Sequence, residues 1–186
     1  MQNKQASCQQ GFTLIEAMIV IAIVAVLLSI AVPSFNDFFQ KNRLKRAAEE
    51  VYGMVVKAKG ETVIRDVNLT VSTTTGDAWC VGYAVTSVAP DCCSAGVCAV
   101  PVGENPPGTP TAVSQQIDGS TFAGVTMTSV NETATFDSVR GAAGNTTIKL
   151  DAGDWDLNVV VSTKGRVRIC APDSSKSTMG YIACPP

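Results

Sequence analysis

"GFTLIEAMIVIAIVAVLLSIAVP", residues 11–33, is almost unbroken hydrocarbon with a single carboxylate, Glu16, close to its start. The apolar run from Phe12 to Val32 is 21 residues long. As a helix it would span about 30 Å, the thickness of a bilayer's hydrocarbon core. A carboxylate costs roughly 2.5–3.5 kcal/mol at a bilayer centre, so a plain anchor gives no reason for Glu16. A secretory signal peptide fits no better. Its cleavage site follows the apolar run at small residues, whereas here a short polar leader with one charge, Lys4, ends at Gly11 before the run begins.

The chain has 186 residues. Beyond the apolar segment this leaves enough for one globular domain with its own core. Net charge is −2, so the chain as a whole is not a polycation, and any nucleic-acid contact needs a local basic patch. There is no histidine. That removes the commonest general base, the commonest zinc ligand and every Ser/His or Cys/His nucleophile pair. The expectation is a non-enzyme that needs no cofactor.

Pro33 lacks an N–H and is expected to kink the helix just before it. Past it, Leu44, Ala47, Ala48, Val51, Val55 and Ala58 recur at helical spacing, with Lys41, Arg43, Lys45, Arg46, Glu49 and Glu50 between them. This predicts an amphipathic helix over 34–65 whose charged face is solvated; the four cations of "KNRLKR" (41–46) read as part of that face or, alternatively, as contacts to lipid headgroups. After Asp66 the pattern changes. "VNLTVSTTT" (67–75), "WCVGYAVTS" (79–87), "TFAGVTMTSV" (121–130), "ATFDSV" (134–139), "TTIKL" (146–150) and "LNVVVSTKGRVRIC" (157–170) are rich in β-branched residues, as strands are. Residues 88–112 are dense in Pro, Gly and Cys and read as a long loop; the tail 171–186 reads as irregular. One long helix followed by strands predicts an α+β fold, the helix laid on an antiparallel sheet.

The N-terminal stretch resembles the class III signal of type IV pilins and type II secretion pseudopilins. The likeness rests on Gly11, then Phe12, Thr13, a glutamate at the fifth position from Phe12, and Pro33 at the twenty-second. In that family a prepilin peptidase cuts after the glycine and methylates the new N-terminus. The resemblance implies a cleaved leader over 1–11, a membrane-spanning and filament-core helix over 12–33, and a head domain over 66–186. It makes Gly11 the cleavage residue, Phe12 the methylated residue and Glu16 the assembly carboxylate. It implies an inner-membrane protein with a periplasmic head, whose partners are the peptidase and other pilins or pseudopilins in a helical filament. In such a filament Glu16 would meet the Phe12 amine of a neighbour. An unpaired buried charge is strongly destabilising, so this pairing would fix axial register.

Seven cysteines are an odd number for an oxidised protein. Loss of Cys8 with the leader leaves six, consistent with an oxidising compartment. "CCSAGVC" lacks the paired knuckles and histidines of a zinc site, so disulfides are expected and a metal is not. Cys170 with Cys184 would close a loop of about 15 residues, worth about 3 kcal/mol on the chain-entropy model. Cys80, Cys92, Cys93 and Cys98 allow three pairings. The adjacent Cys92–Cys93 bridge is strained, and the other two stay open.

The strand sequences are similar to those of the GspH/FimT group of minor pilins and pseudopilins. The resemblance implies a FimT/FimU-type minor pilin that primes or caps a pilus; a GspH-type pseudopilin or a major pilin is the alternative. FimT-type pilins have been linked to DNA capture through a C-terminal G-R-x-R, matched here by Gly165, Arg166, Val167 and Arg168. Lys164, Arg166 and Arg168 alternate, so on a strand all three would share a face. Residues 164–186 carry net +3, which suits phosphates. "TKGR" also reads as an ordinary hairpin turn, and Tyr181 is the one aromatic of that C-terminal segment.

Processing is directly testable. Intact-mass spectrometry of membrane-extracted protein should find a chain beginning at N-methyl-Phe12 and lacking Cys8. A mature N-terminus elsewhere would sink the class III reading.

Overall fold

The structure, a computed structural model, describes residues 12–85, 99–101, 112–114, 116–175 and 179–184, and within these leaves aside the side chains of 30–34, 99–101 and 112–114. The chain divides into two compact units, Met1–Phe38 and Phe39–Pro186.

In the first unit, helix α1 (Leu14–Arg65) begins. Thr13 stands just before it, and its Oγ1 accepts the Glu16 N–H at 3.3 Å. Thr13-x-x-Glu16 is thus the capping-box pattern, and a carboxylate in the first turn also suits the helix dipole. Every side chain from Phe12 to Ser29 is exposed. Among the described residues no helix is long and apolar enough to cross a membrane; the expected span runs on into 30–34, whose side chains lie outside the described set. Helical structure passes through Pro33 without a break.

In the second unit, Leu44, Ala47, Ala48, Val51, Val55 and Ala58 have no exposed surface. The helical stripe read from the sequence is therefore the face that enters the core. Thr62 extends it by one turn, and its Oγ1 satisfies itself by donating to the Ala58 carbonyl at 2.8 Å. Arg65 ends the helix and is paired with Glu61 one turn earlier. Asp66 follows in a left-handed conformation, φ 52°.

The strands are β1 (Leu69–Thr74), β2 (Cys80–Val85), β3 (Ala99–Pro101), β4 (Ala112–Ser114), β5 (Gln116–Asp118), β6 (Thr126–Ser129), β7 (Thr133–Phe136), β8 (Thr146–Ala152), β9 (Trp155–Val161), β10 (Val167–Ala171) and β11 (Ile182–Ala183). They form a four-stranded sheet in the order β5-β2-β1-β7 and a five-stranded sheet in the order β11-β10-β9-β8-β6. An isolated bridge pairs Gly76, just past β1, with Met127 of β6, and another pairs Phe136 of β7 with Ala143. The helix stripe and the inner faces of both sheets form one core, giving an α+β fold of a helix packed on antiparallel sheets.

Three expectations are corrected. Within the segment read as a loop, β3 forms and pairs with β4, which begins at the segment's last residue, Val100 standing opposite Val113. Their three-residue length hides them among Pro and Gly, and Pro101 is tolerated because it ends its strand. Within the tail read as irregular, β11 pairs with β10, and the pairing is parallel. Two residues carry no periodicity, so tertiary pairing decided this strand. Three of the four cations of "KNRLKR" are not simply solvated. Lys41 sits 5.2 Å over the Trp155 ring, Lys45 lies 5.4 Å over the Tyr181 ring, and Arg43 donates to the Ala123 carbonyl at 3.2 Å. Aromatic faces attract cations, and the fold brings two such faces against successive turns of α1.

Trp79 is wholly buried, donates Nε1–H to the Val125 carbonyl at 2.9 Å and stacks on Phe122. Gly119 lies flat against its ring; a Cβ there would come within 2.5 Å of Trp79. Gly119→Ala should therefore destabilise the head by about 1–3 kcal/mol, the usual range for overpacking a core. Denaturant unfolding followed by tryptophan fluorescence should show a lower midpoint with an unchanged slope.

Candidate functional site

The β9–β10 hairpin positions the basic residues singled out from the sequence. Gly165 N–H donates to the Ser162 carbonyl at 2.8 Å, and Ser162 N–H donates to the Arg166 carbonyl at 2.9 Å. Gly165 takes φ +69°. This is a three-residue hairpin loop with a left-handed glycine at its end. A Cβ on Gly165 would strike the Gly141 carbonyl oxygen at 1.9 Å, so the absence of a side chain lets the 137–141 turn close against the hairpin. Asp137 shapes that second turn, its Oδ1 accepting the N–H groups of Val139 and Arg140 at 2.9 and 2.8 Å.

The basic residues do not form the single row expected of a strand. Lys164 lies in the turn and Arg166 just before β10; both are exposed. Arg168 lies within β10 and is half-buried, its Nε enclosed without a hydrogen-bond partner among the described residues. Val167 and Ile169 pack on the core, so alternation turns Arg166 and Arg168 alike away from it, and only Lys164, in the turn, stands outside the row.

A cleft of about 400 Å³ opens between α1 and the hairpin, lined by Tyr52, Val56, Lys59, Lys164, Gly165, Arg166 and Val167. Lys59 crosses to the hairpin, donating from Nζ to the Gly165 carbonyl at 2.9 Å. Sequence reasoning missed Lys59 and Tyr52. Positions 52, 56 and 59 follow the i, i+4, i+7 spacing of one helix stripe, but only the tertiary fold sets that stripe beside the hairpin. Tyr181, the aromatic the sequence offered, is engaged elsewhere. Its OH donates to Glu49 Oε1 at 2.7 Å beneath Lys45, and burial together with the Glu49 hydrogen bond pushes its pKa up to about 12.

Cys170 and Cys184 form the expected disulfide, with an S–S distance of 2.06 Å. Cys80 is also disulfide-bonded; Cys92, Cys93 and Cys98, the candidates for its partner, lie outside the described residues, as does Gly11. Phe12 and Glu16 are exposed at the start of α1. No three metal-ligating side chains cluster among the described residues.

The Prokaryotic N-terminal methylation motif matches residues 6–32, and the model of the Type II transport protein GspH matches residues 47–165. The chain belongs to the GspH family. The GspH-family chain is 40% identical over 67 residues to a fimbrial protein of Pseudomonas aeruginosa, covering 36% of this chain and 42% of that protein. It is 41% identical over 58 residues to a type IV major alpha-pilin of Moraxella bovis, covering 31% and 33% respectively. It thus spans less than half the length of these curated relatives. Among solved structures, the type IV minor pilin FimU of Pseudomonas aeruginosa is 19% identical, with coverage of 71% of this chain and 91% of that one and a TM-score of 0.48. The minor pseudopilin EpsH from the Type 2 Secretion System of Vibrio cholerae is 13% identical, with coverage of 69% and 97% and a TM-score of 0.48.

Elsewhere on the head, Asp151 and Asp156 face each other directly across β8 and β9. The hydrogen bond between the two carboxyls, with partial burial, raises the Asp151 pKa from 3.8 to about 6. Below the lower value both folded and unfolded forms hold the proton. Between the two values the unfolded form loses it and the folded form keeps it, so this pair makes stability fall as pH rises through that window. Asp156→Asn removes the partner charge. Thermal melts across pH should show the variant gaining stability over the parent from about pH 4 to about pH 6, with the difference level above that.

Proposed function

We propose that this chain is a structural subunit of a pilus or pseudopilus, a minor pilin of the FimT/FimU type, held in the inner membrane by α1 before assembly and set into a filament through it. One observation carries this reading: the side chains of Phe12 to Ser29 are exposed without exception, Phe12 to 83% and Leu14 to 81%. A continuous apolar helix face of that length is not left to water. Lipid covers it before assembly, and the same segments of other subunits cover it afterwards. The methylation motif over 6–32 supports leader removal, which frees an amine at Phe12. That amine lies at the positive end of the helix dipole, where cations are unfavourable. The Glu16 carboxylate of a neighbouring subunit offsets it.

DNA capture is a second reading, favoured by Lys164 and Arg166 standing exposed with Lys59 around one cleft. None of the three makes an ion pair among the described residues. Lys59 donates to the Gly165 carbonyl but faces no carboxylate, and cations that no carboxylate neutralises are available for phosphates. Arg168, half-buried within β10, contributes least.

Glu16 decides the structural reading. Glu16→Ala should reach the membrane at parental levels and be lost from sheared filaments. Glu16→Gln retains the capping box but not the charge, and should be lost as well. Incorporation of the Gln variant at parental levels would reduce Glu16 to a helix-capping role.

A further inference from the structure

The cleft beside the hairpin has a composition that phosphate contact alone does not require. Tyr52, Val56 and Val167 give it apolar walls, while Lys59, Lys164 and Arg166 supply positive charge. Its volume is about 400 Å³ and it lies open to solvent along one side, a size within the range of about 300 to 1,000 Å³ that small flat ligands occupy. Tyr52 is half-buried and packs on the core along one side, so its ring is held in place before any ligand arrives. Lys59 is tethered to Gly165 at 2.9 Å, and the Gly165–Gly141 contact fixes the hairpin on its other side. Both walls are therefore preorganised. A fourth cation, Arg140, stands exposed one residue from Gly141.

We infer that this cleft binds single-stranded polynucleotide, taking one base against Tyr52 and Val56 with the flanking phosphates on Lys164, Arg166 and Lys59. The inference rests on the DNA reading above and narrows it from a surface that attracts any polyanion to a site that selects unpaired bases. The physical reason lies in access. The bases of a duplex are paired and stacked inside it, so a duplex can only lay phosphates on the exposed cations at the rim. An unpaired base can be splayed out and stacked on an aromatic side chain. Base stacking is tolerant of sequence because every base has a π-face, so no strong sequence preference is expected. An acidic peptide or an anionic lipid would meet the same cations, but neither requires a rigid aromatic wall.

The test uses the processed full-length chain in detergent micelles, titrated against a labelled 20-nucleotide oligothymidylate and, separately, a 20-base-pair duplex. The single strand should bind more tightly than the duplex. Tyr52→Leu, which keeps an apolar side chain, should weaken single-strand binding roughly 5- to 100-fold, the range that loss of one stacked base gives. It should leave duplex binding unchanged. Tyr52→Phe, which keeps the ring, should restore the parental affinity, and circular dichroism should confirm that both variants are folded. Lys164→Gln with Arg166→Gln should lower the magnitude of the log–log salt slope by about 1.4 on the single strand, two contacts at ~0.7 each.

Equal affinity for duplex and single strand, with the Leu and Phe variants alike, would overturn the base-stacking inference and leave the polyanion reading standing. Inorganic polyphosphate or phosphatidylglycerol vesicles competing as well as the oligonucleotide, charge for charge, would overturn it too. Absence of salt-sensitive binding to either nucleic acid would overturn both.

Discussion

From Leu44 to Thr62 one side of α1 is closed to water, and the head is arranged around that stripe. A helix alone buries nothing, and although β1 and β2 are buried on both faces, the inner face of each sheet still needs a cover. The core forms because the stripe supplies residues that fit under both inner faces at once. Four of its members are alanines or a threonine, Ala47, Ala48, Ala58 and Thr62. Small side chains let strands approach the helix closely. The bulk is supplied from the strand side by Trp79, Tyr83, Phe136, Met127, Ile148, Leu150 and Leu157. The helix provides the floor of the core and the sheets provide most of its volume.

The hairpin depends on the same packing. Lys59 falls one residue after Ala58, at the edge of the buried stripe, which places its ammonium where the Gly165 carbonyl can accept from it. The hairpin glycine is held from three directions: by its own left-handed turn, by Lys59 and by the Gly141 carbonyl. A cationic loop that would otherwise sample many shapes has one. This preorganisation separates a built cleft from a set of surface lysines, because ordering a loop on binding subtracts from affinity.

The long helix and its buried stripe were legible in the sequence because a 3.6-residue period survives whatever packs against it. Most of the longer strands, β1, β2 and β7 to β10, announced themselves through β-branched runs, and the "TKGR" turn through its glycine. The Thr13-x-x-Glu16 capping box is legible too, since its signal is purely local. What could not be read were juxtapositions across the fold. Tyr52 and Lys59 look like routine helix residues until β10 is laid beside them. Asp151 and Asp156 become a pair only once the β8–β9 register is known. Lys41 and Lys45 look solvated because the rings above them, Trp155 and Tyr181, lie more than a hundred residues away in sequence. Lys164 looked like a member of the basic row because alternation was extended back from β10 through a turn that resets it.

The clasp between α1 and the end of the chain has a mechanical consequence. Lys41, Lys45 and Glu49 lie on successive turns and grip Trp155 and Tyr181, while the Cys170–Cys184 bond locks the tail carrying Tyr181 to β10. In the filament proposed above, tension would be transmitted along α1. Tension along the helix axis would strain these three contacts together, in shear, instead of unzipping them one after another. Without the disulfide the tail would peel away from β11 inward and the contacts would fail in sequence. Resistance to forced unfolding is set by the rate of the opening step, and contacts that must break simultaneously slow that step more than the same contacts broken singly.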